Sequence, residues 1–77
     1  MTRRGGTVRP NVDSDEAGPR LRARRGEVGL SQQSLADSVD VSRQTIVAME
    51  QGNYAPSVYL ALKVARTLDV TVETIWG

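Results

Sequence analysis

Two short runs of apolar residues between positions 31 and 51 recur at helical spacing. Each run opens with a serine and continues with apolar positions three or four residues apart. Ser31 precedes Leu35, Ala36 and Val39, and Ser42 precedes Ile46 and Met49. A serine hydroxyl at the first position can accept a hydrogen bond from a free backbone N–H of the first helical turn. The pattern therefore predicts helix 2 over about 32–39 and helix 3 over about 43–51.

Only Asp40 and Val41 separate the last apolar residue of helix 2 from the serine that precedes helix 3. A link of this length is too short for the second helix to run back along the first. Helix 3 must leave at a steep angle, and that arrangement is a helix-turn-helix.

The remaining apolar positions predict three more helices around this pair. Helix 1 is expected over about 19–28. Pro19 suits the first turn of a helix, and Gly29 suits the left-handed position that follows a last turn. Helix 4 over about 58–68 carries a core-facing apolar stripe, and helix 5 covers 72–76. No strand pattern is present, so the fold class is all-α, with five helices in one domain over residues 18–77.

The first 17 residues differ from the rest in composition. They contain few large apolar side chains, and six of the 17 residues are Gly, Pro, Asp or Ser, so residues 1–17 are predicted to form a flexible N-terminal tail. The alternative is a basic arm, formed by Arg3, Arg4 and Arg9, that touches a nucleic-acid backbone or minor groove. The acidic residues that follow these arginines favour the tail.

Composition excludes several classes of function. The chain of 77 residues contains no cysteine and no histidine, which removes the usual metal ligands and the commonest nucleophiles and bases of enzymes. We therefore expect no enzyme activity, no metal or other cofactor and no small-molecule ligand. No apolar run approaches the ~20 residues of a membrane span. The N-terminus lacks the apolar segment of a secretory signal, so a cytoplasmic protein without membrane contact is expected.

Charge is informative only where it is concentrated. The net charge of +1 is weak evidence for a nucleic-acid partner, since nucleic-acid-binding domains are usually clearly basic. Arg20, Arg22, Arg24 and Arg25 nevertheless fall within six residues while the acids are dispersed. This concentration predicts a local basic patch.

The exposed start of helix 3 carries side chains of the kind that read DNA bases. Arg43 and Gln44 lie side by side in its first turn; arginine forks onto guanine and glutamine pairs with adenine in the major groove. Ala48, one turn later, is small enough to meet a thymine methyl group or to allow close approach. Any surface helix has a polar first turn, but the helix-turn-helix spacing favours base reading here.

The start of helix 2 is predicted to hold the phosphate backbone. Gln32 is the first residue of that helix, where free N–H groups attract anions, and Ser31 and Gln33 flank it. If helix 3 enters the groove, the N-terminus of helix 2 faces a phosphate. Ser42, at the N-terminus of helix 3, is predicted to contact the backbone as well.

Glu50 raises a separate structural question. It follows the apolar Met49 near the inner side of helix 3, where an unpaired carboxylate is costly. Arg25 on helix 1 is a candidate partner for an ion pair. Two solvated charges are the equally good alternative.

Residues 21–76 resemble the small Cro/lambda-repressor-type (XRE-like) helix-turn-helix regulators of bacteria, archaea and phages. The resemblance rests on four segments, GLSQQSLA at 29–36, VSRQTI at 41–46, EQGNYAPS at 50–57 and LALKVA at 60–65. It implies a five-helix, lambda-repressor-like DNA-binding domain in which helix 3 is the reading helix.

The resemblance also implies several residue roles. Thr45 is expected against the DNA backbone or a base, and the loop containing Asn53 and Tyr54 is expected against phosphate, with the Tyr54 hydroxyl as a donor. The family often has the Arg25–Glu50 pair, so the resemblance favours a real ion pair at these positions.

The sequence thus predicts a sequence-specific DNA-binding transcriptional regulator, a repressor that binds a palindromic operator in double-stranded DNA. It is expected to act as a homodimer, because one recognition helix meets only a few base pairs. The alternative is an antitoxin or protein-interaction adaptor on the same fold, which is expected to lack the Arg43 and Gln44 readers. The predicted dimer surface consists of apolar residues from helices 4 and 5, namely Leu62, Leu68, Val70, Ile75 and Trp76. The alternative is that all five belong to the core, and Leu62 is the residue that the core stripe of helix 4 explains least.

Overall fold

The computed structural model describes residues 10–77, with side chains from Glu16 onward. It contains five α-helices, α1 (Pro10–Glu27), α2 (Gln32–Ser38), α3 (Arg43–Glu50), α4 (Val58–Thr67) and α5 (Val72–Trp76). The bounds of α2 to α5 agree with the predicted helices 2 to 5 to within one residue. The described residues contain no strand, and the prediction of an all-α, five-helix domain is confirmed. None of these helices is long and apolar enough to cross a membrane.

Side-chain caps explain where the four later helices begin. Each cap hydroxyl accepts from the backbone N–H three residues on, Ser31 from Ser34 (2.9 Å), Ser42 from Thr45 (3.3 Å), Ser57 from Leu60 (3.1 Å) and Thr71 from Thr74 (3.2 Å). Left-handed residues follow the helices. Gly29 after α1 has a φ of 77°, as predicted, and Asp40 and Asp69 after α2 and α4 have φ of 63° and 58°, a conformation that aspartate tolerates better than most residues.

The first helix begins earlier than predicted. α1 starts at Pro10, and Pro19, its predicted first residue, lies inside it. Proline removes one backbone N–H from a helix, but the turn before it is held by Ala17, which is 3% exposed in the core. Because one small apolar residue does not create a repeating apolar pattern, the helical turn before Pro19 could not be predicted from the sequence. Residues 1–9, with the candidate basic arm, lie outside the described residues, so the flexible tail stays a prediction there. Over residues 10–17 the structure has the first turns of α1 in place of a tail.

The core joins all five helices. α1 packs against α3 and α5, α2 packs against α3 and α4, and α4 packs against α5. The largest fully buried side chains are Leu21, Leu35, Val39, Ile46, Val64, Leu68 and Ile75. This packing buries one face of α3 and leaves its first turn at the surface.

Two arginines of α1 bind the ends of other helices. Arg20 donates to the carbonyl oxygens of Ile75 (3.3 Å) and Gly77 (3.0 Å) at the end of α5. Arg24 donates from Nε to the carbonyl oxygen of Leu68 at the end of α4 (2.8 Å). Cationic side chains are favourable at these places because helix dipoles have their negative ends there. The two arginines therefore fasten α1 to α4 and α5.

The basic patch predicted at 20–25 is consequently not formed as one surface. Residues four apart share a face of a helix, so Arg20 and Arg24 both turn towards the helix ends described above. Arg25 pairs with a carboxylate of α3. Arg20 and Arg22 are both exposed to solvent, but Arg20 is held by the end of α5 and by Glu16.

Gly18 marks a close approach between α1 and α3. A Cβ built at this position would overlap the carbonyl oxygen of Glu50 and would lie 3.1 Å from that of Met49. We expect Gly18→Ala to destabilise the domain by about 1–3 kcal/mol, since the two helices must move apart to make room.

Gly26 provides a matched control on the same helix. It has open space where a Cβ would lie, so Gly26→Ala is expected to stabilise the domain by ~0.5–1 kcal/mol through higher helix propensity. Urea unfolding of both variants measures the two free energies. Equal effects of the two substitutions would contradict the close approach at Gly18.

Candidate nucleic-acid interface

The first two turns of α3 form an exposed edge of the molecule. Arg43 and Gln44 are exposed, and Val47 and Ala48 lie one turn further along and are half-buried. Since residues four apart share a helix face, these four side chains line one edge. The predicted readers Arg43, Gln44 and Ala48 are therefore adjacent, and Val47 joins them.

The opposite face of α3 holds this edge in place. Ile46 and Met49 are 0% and 3% exposed in the core. The Thr45 hydroxyl lies 3.1 Å from the hydroxyl of Ser42, and Thr45 is half-buried. Ser42 and Thr45, two of the predicted contacts to the DNA backbone, therefore lie at the start of α3, where they also form its cap.

The start of α2 lies beside the start of α3. Ser31 and Gln33 are exposed there, and Gln32 between them is half-buried. The Gln33 amide donates to the carboxylate of Asp37 at 2.9 Å. The half-buried position of Gln32 is explained by its contacts with α3.

A chain of hydrogen bonds runs from α1 to the exposed edge of α3. Arg25 binds both carboxylate oxygens of Glu50, Nε to Oε2 at 2.5 Å and Nη2 to Oε1 at 3.2 Å. Gln32 donates from Nε2 to Oε1 of Glu50 at 3.1 Å, and Oε1 of Gln32 accepts from Nη2 of Arg43 at 3.3 Å. The Arg25–Glu50 ion pair expected from the family resemblance is thus present. Gln32 connects it to Arg43.

The ion pair is largely shielded from water. The side chains of Arg25 and Glu50 are 15% and 5% exposed, and Arg25 also donates from Nη1 to the carbonyl oxygen of Leu30 at 2.8 Å. The hydrogen bond to Glu50 raises the pKa of the Arg25 guanidinium above its ordinary value, and this outweighs the lowering by burial. Arg25 therefore stays charged, and the carboxylate keeps a cationic partner.

Arg22 adds a positive charge beside the Arg25–Glu50 ion pair. A cavity of about 320 Å³ opens where α1, α2 and α3 meet, and it is lined by Arg22, Arg25, Gln32, Val47, Glu50 and Gln51. Within residues 16–77, Arg22 has no ion-pair partner. In the sequence, Arg22 is one of four closely spaced arginines and does not stand out from the others. Arg22 lies three positions before Arg25, so both residues are on the side of α1 that faces α3. This spacing distinguishes Arg22 from Arg20 and Arg24.

The loop after α3 is fixed to the end of that helix. The backbone N–H of Asn53 donates to the carbonyl of Ala48 at 2.8 Å, and that of Gly52 donates to Met49 at 3.2 Å. Gly52 has a φ of 79°. Asn53 is exposed, and Tyr54 is 45% exposed. Asn53 and Tyr54, two of the predicted contacts to the DNA backbone, therefore lie at a defined place beyond the end of α3.

The residues predicted for the dimer surface divide into buried and accessible ones. Leu68 and Ile75 are 0% exposed, because both side chains point into the core beneath α4 and α5. They are not available to a partner, and the predicted surface is corrected by removing them. Leu62 is 37% exposed, and Val70 and Trp76 are half-buried.

An apolar groove lies beside Leu62. This groove has a volume of about 440 Å³ and is lined by Val58, Leu62, Ala65, Arg66, Val70, Thr71, Val72 and Glu73. Val58 and Tyr59, at the start of α4, are 72% and 80% exposed. Neither residue was predicted as part of a surface, because both lie outside the inward-facing stripe of α4. Their positions outside that stripe were the available signal.

Comparison with known proteins agrees with this geometry. A family model described as helix-turn-helix matches residues 21–75. A protein of Methanothermobacter thermautotrophicus, named as an uncharacterized HTH-type transcriptional regulator, is 52% identical over 48 residues. The match covers 62% of this chain and 70% of the relative.

Two solved structures share the fold. The restriction-modification controller protein C.AhdI of Aeromonas hydrophila superposes with a TM-score of 0.78 at 33% identity, covering 83% of this chain and 97% of its own. The P22 c2 repressor, in complex with a synthetic operator, superposes with a TM-score of 0.74 at 27% identity, covering 77% and 89%. The expected lambda-repressor-like fold is confirmed.

Proposed function

Since the chain belongs to the helix-turn-helix family of DNA-binding transcriptional regulators, of the Cro/lambda-repressor (XRE) type, we propose that it represses transcription as a homodimer on a palindromic operator. The observation that carries this proposal is the exposed edge of Arg43, Gln44 and Ala48 on a helix whose opposite face is buried. The repressor role is supported by similarity to the P22 c2 repressor, whose structure contains a synthetic operator.

We propose that the exposed edge of α3 enters the major groove of DNA and that its side chains read the bases there. The guanidinium of Arg43 presents donors in a fork that matches O6 and N7 of guanine. The amide of Gln44 matches N6 and N7 of adenine. Ala48, one turn on, leaves room for a thymine methyl group. Together these contacts span the few base pairs of one half-site.

Backbone contacts are proposed for polar groups around the edge. The set consists of Ser31, Gln32, Gln33, Ser42, Thr45, Asn53 and Tyr54, with Arg22 added from the cavity beside Gln32. One N–H of the Gln32 amide is not required by Glu50 and can donate to a phosphate, and so can the exposed hydroxyl of Tyr54. With a net charge of only +1, such individually placed groups provide the phosphate contacts in place of a strong overall positive field.

Titration of isotope-labelled protein with a random-sequence duplex at low salt tests where DNA binds. We expect the largest changes in amide chemical shift at Gln32, Arg43, Gln44 and Tyr54. Lys63, which lies on α4 outside the proposed DNA contacts, is expected to change little. Shifts confined to α4 and α5 would contradict the proposal.

The homodimer is proposed to form through the apolar groove between α4 and α5. The groove and the exposed Val58, Tyr59 and Leu62 offer an apolar surface that a second copy of the chain can cover. A two-fold axis pairs the same patch on both copies. Two half-sites about one helical turn apart then receive the two copies of α3.

Replacing Leu62 by glutamine is expected to weaken the dimer. Leu62 is an exposed apolar residue of the groove, so a polar side chain there is expected to raise the dissociation constant about tenfold or more. Lys63→Gln, at the next position but outside the groove, is the matched control and is expected to leave the constant unchanged. Sedimentation equilibrium at micromolar concentrations, with and without DNA, measures both. A wild-type protein that stays monomeric in both conditions would contradict the homodimer.

A further inference from the structure

We infer that Glu50 is a positioning residue for DNA reading, because its carboxylate acts through Gln32 to set the conformation of the Arg43 guanidinium. The inference rests on the proposed function, since it concerns the side chain proposed to read guanine. The ion pair with Arg25 by itself gives Glu50 a purely structural role. The additional role follows from the hydrogen bond between Glu50 and Gln32.

Glu50 determines which end of the Gln32 amide faces inward. The Glu50 side chain is 5% exposed, and its Oε1 accepts from Nε2 of Gln32 at 3.1 Å. An ionised carboxylate accepts hydrogen bonds and donates none, so only the NH₂ end of the amide can face it. The carbonyl oxygen of Gln32 is therefore turned towards the exposed edge of α3.

This orientation is the one that Arg43 requires. A guanidinium donates hydrogen bonds and accepts none, and Nη2 of Arg43 lies 3.3 Å from Oε1 of Gln32. With the amide reversed, its NH₂ would face the guanidinium and its oxygen would face the carboxylate, so both contacts would become repulsive. The negative charge of Glu50 thus fixes the orientation of the Gln32 amide, and this orientation favours the contact with Arg43.

The contact with Gln32 leaves Arg43 able to read a base. It uses one of the five N–H donors of the guanidinium, and the others remain free for the two acceptors of guanine. An exposed arginine loses considerable rotamer freedom when it binds, and a contact that already restricts it reduces this loss. Glu50 therefore contributes to discrimination at the guanine and acts on a residue that it does not touch.

Glu50→Gln tests the inference because it keeps the shape of the side chain and removes the charge that orients the amide. The measurement uses a duplex selected from a random pool for tight binding, and a second duplex in which the guanine contacted by Arg43 is replaced. The quantity of interest is the dissociation constant of the second duplex divided by that of the first. We expect this ratio to fall about two- to tenfold, the effect of one hydrogen bond. In an Arg43→Ala background the same substitution is expected to leave the ratio unchanged. A fall of equal size in that background would overturn the inference.

Two further variants separate positioning from stability. Val64→Ala weakens the core away from the network, since Val64 is fully buried on α4, and it is expected to keep the wild-type ratio. Gln32→Met breaks the connection while it leaves the ion pair intact, and it is expected to lower the ratio as Glu50→Gln does. It also serves as the test if Glu50→Gln does not fold. A wild-type ratio in Gln32→Met, or an equal fall in Val64→Ala, would overturn the inference.

A measurement on the free protein separates this inference from the proposed function. Nitrogen relaxation at Nε of Arg43 reports the order of its side chain, and we expect less order in Glu50→Gln and in Gln32→Met than in the wild type. If the wild-type protein binds no duplex, the proposed function fails, while the loss of order supports positioning by Glu50 all the same. Unchanged order in both variants would overturn the inference even if DNA binding is retained.

Discussion

Replacing Arg43 by alanine is expected to weaken binding to a duplex selected from a random pool by about 1–3 kcal/mol, because the substitution removes the paired contact that we propose with one guanine. The loss is expected to be specific. Duplexes that lack this guanine should lose much less affinity, so discrimination at one base pair of each half-site relaxes. Fluorescence anisotropy on the selected duplex, and on duplexes changed at single base pairs, measures both effects.

Lys63→Ala is the matched control for the loss of one positive charge. Lys63 is exposed on α4 and lines neither the cavity beside Gln32 nor the apolar groove. It is expected to lower affinity slightly and equally for all duplexes. If Arg43→Ala gave the same uniform loss, Arg43 would be a phosphate contact, and its assignment as a reader would be wrong.

Replacing Arg25 by methionine is expected to have the largest effect on stability, a loss of about 3–5 kcal/mol. Methionine is similar in length but leaves Glu50, at 5% exposure, without a cationic partner. A domain of this size has a total stability of similar magnitude, only about 5 kcal/mol or a little more. We therefore expect the variant to be largely unfolded at 37 °C, which circular dichroism and urea unfolding can measure.

Arg24→Met, one position earlier on the same helix, is the control for the general loss of an arginine. Arg24 donates to the carbonyl oxygen of Leu68, and its partner carboxylate Glu27 is 63% exposed. No buried charge is left unpaired, so we expect a smaller loss of about 1–2 kcal/mol. Similar losses for the two variants would show that the Arg25–Glu50 pair has no special role in the fold.

Local sequence signals predicted much of this fold. The hydroxyl residues Ser31, Ser42, Ser57 and Thr71 each satisfy backbone N–H groups within their own turn, so their positions specify helix starts without tertiary information. Apolar spacing then identified the buried faces of α2, α3 and α4. Both signals depend on residues close together in the chain.

Interactions between distant residues were harder to predict. The close approach at Gly18 depends on a carbonyl of α3, thirty-two positions away, and nothing in the local pattern of α1 indicates it. The arginines at 20–25 were predicted to form a basic patch because their charges are adjacent in sequence. The partners of Arg20 and Arg24, at the ends of α5 and α4, become their neighbours only in the folded chain, and so does Glu50, the partner of Arg25.

The candidate site shows the same division. Arg43 and Gln44 were predicted from their place in the first turn of α3, and they are exposed there. The contact between Gln32 and Glu50 was not predicted, because it joins the start of α2 to the end of α3. Leu68 and Ile75 were assigned to a dimer surface because apolar residues of short helices can face a core or a partner equally well. Burial decides between the two.

Selection of bound sites from a pool of random duplexes tests the central claim most directly, that α3 reads a specific sequence. The proposed two-fold dimer predicts an enriched palindrome whose half-sites lie about one helical turn apart, and the proposed role of Arg43 predicts a guanine at the same place in each half. Selection with Arg43→Ala is expected to recover the palindrome without that guanine. Binding that enriches no sequence from the pool would contradict the claim.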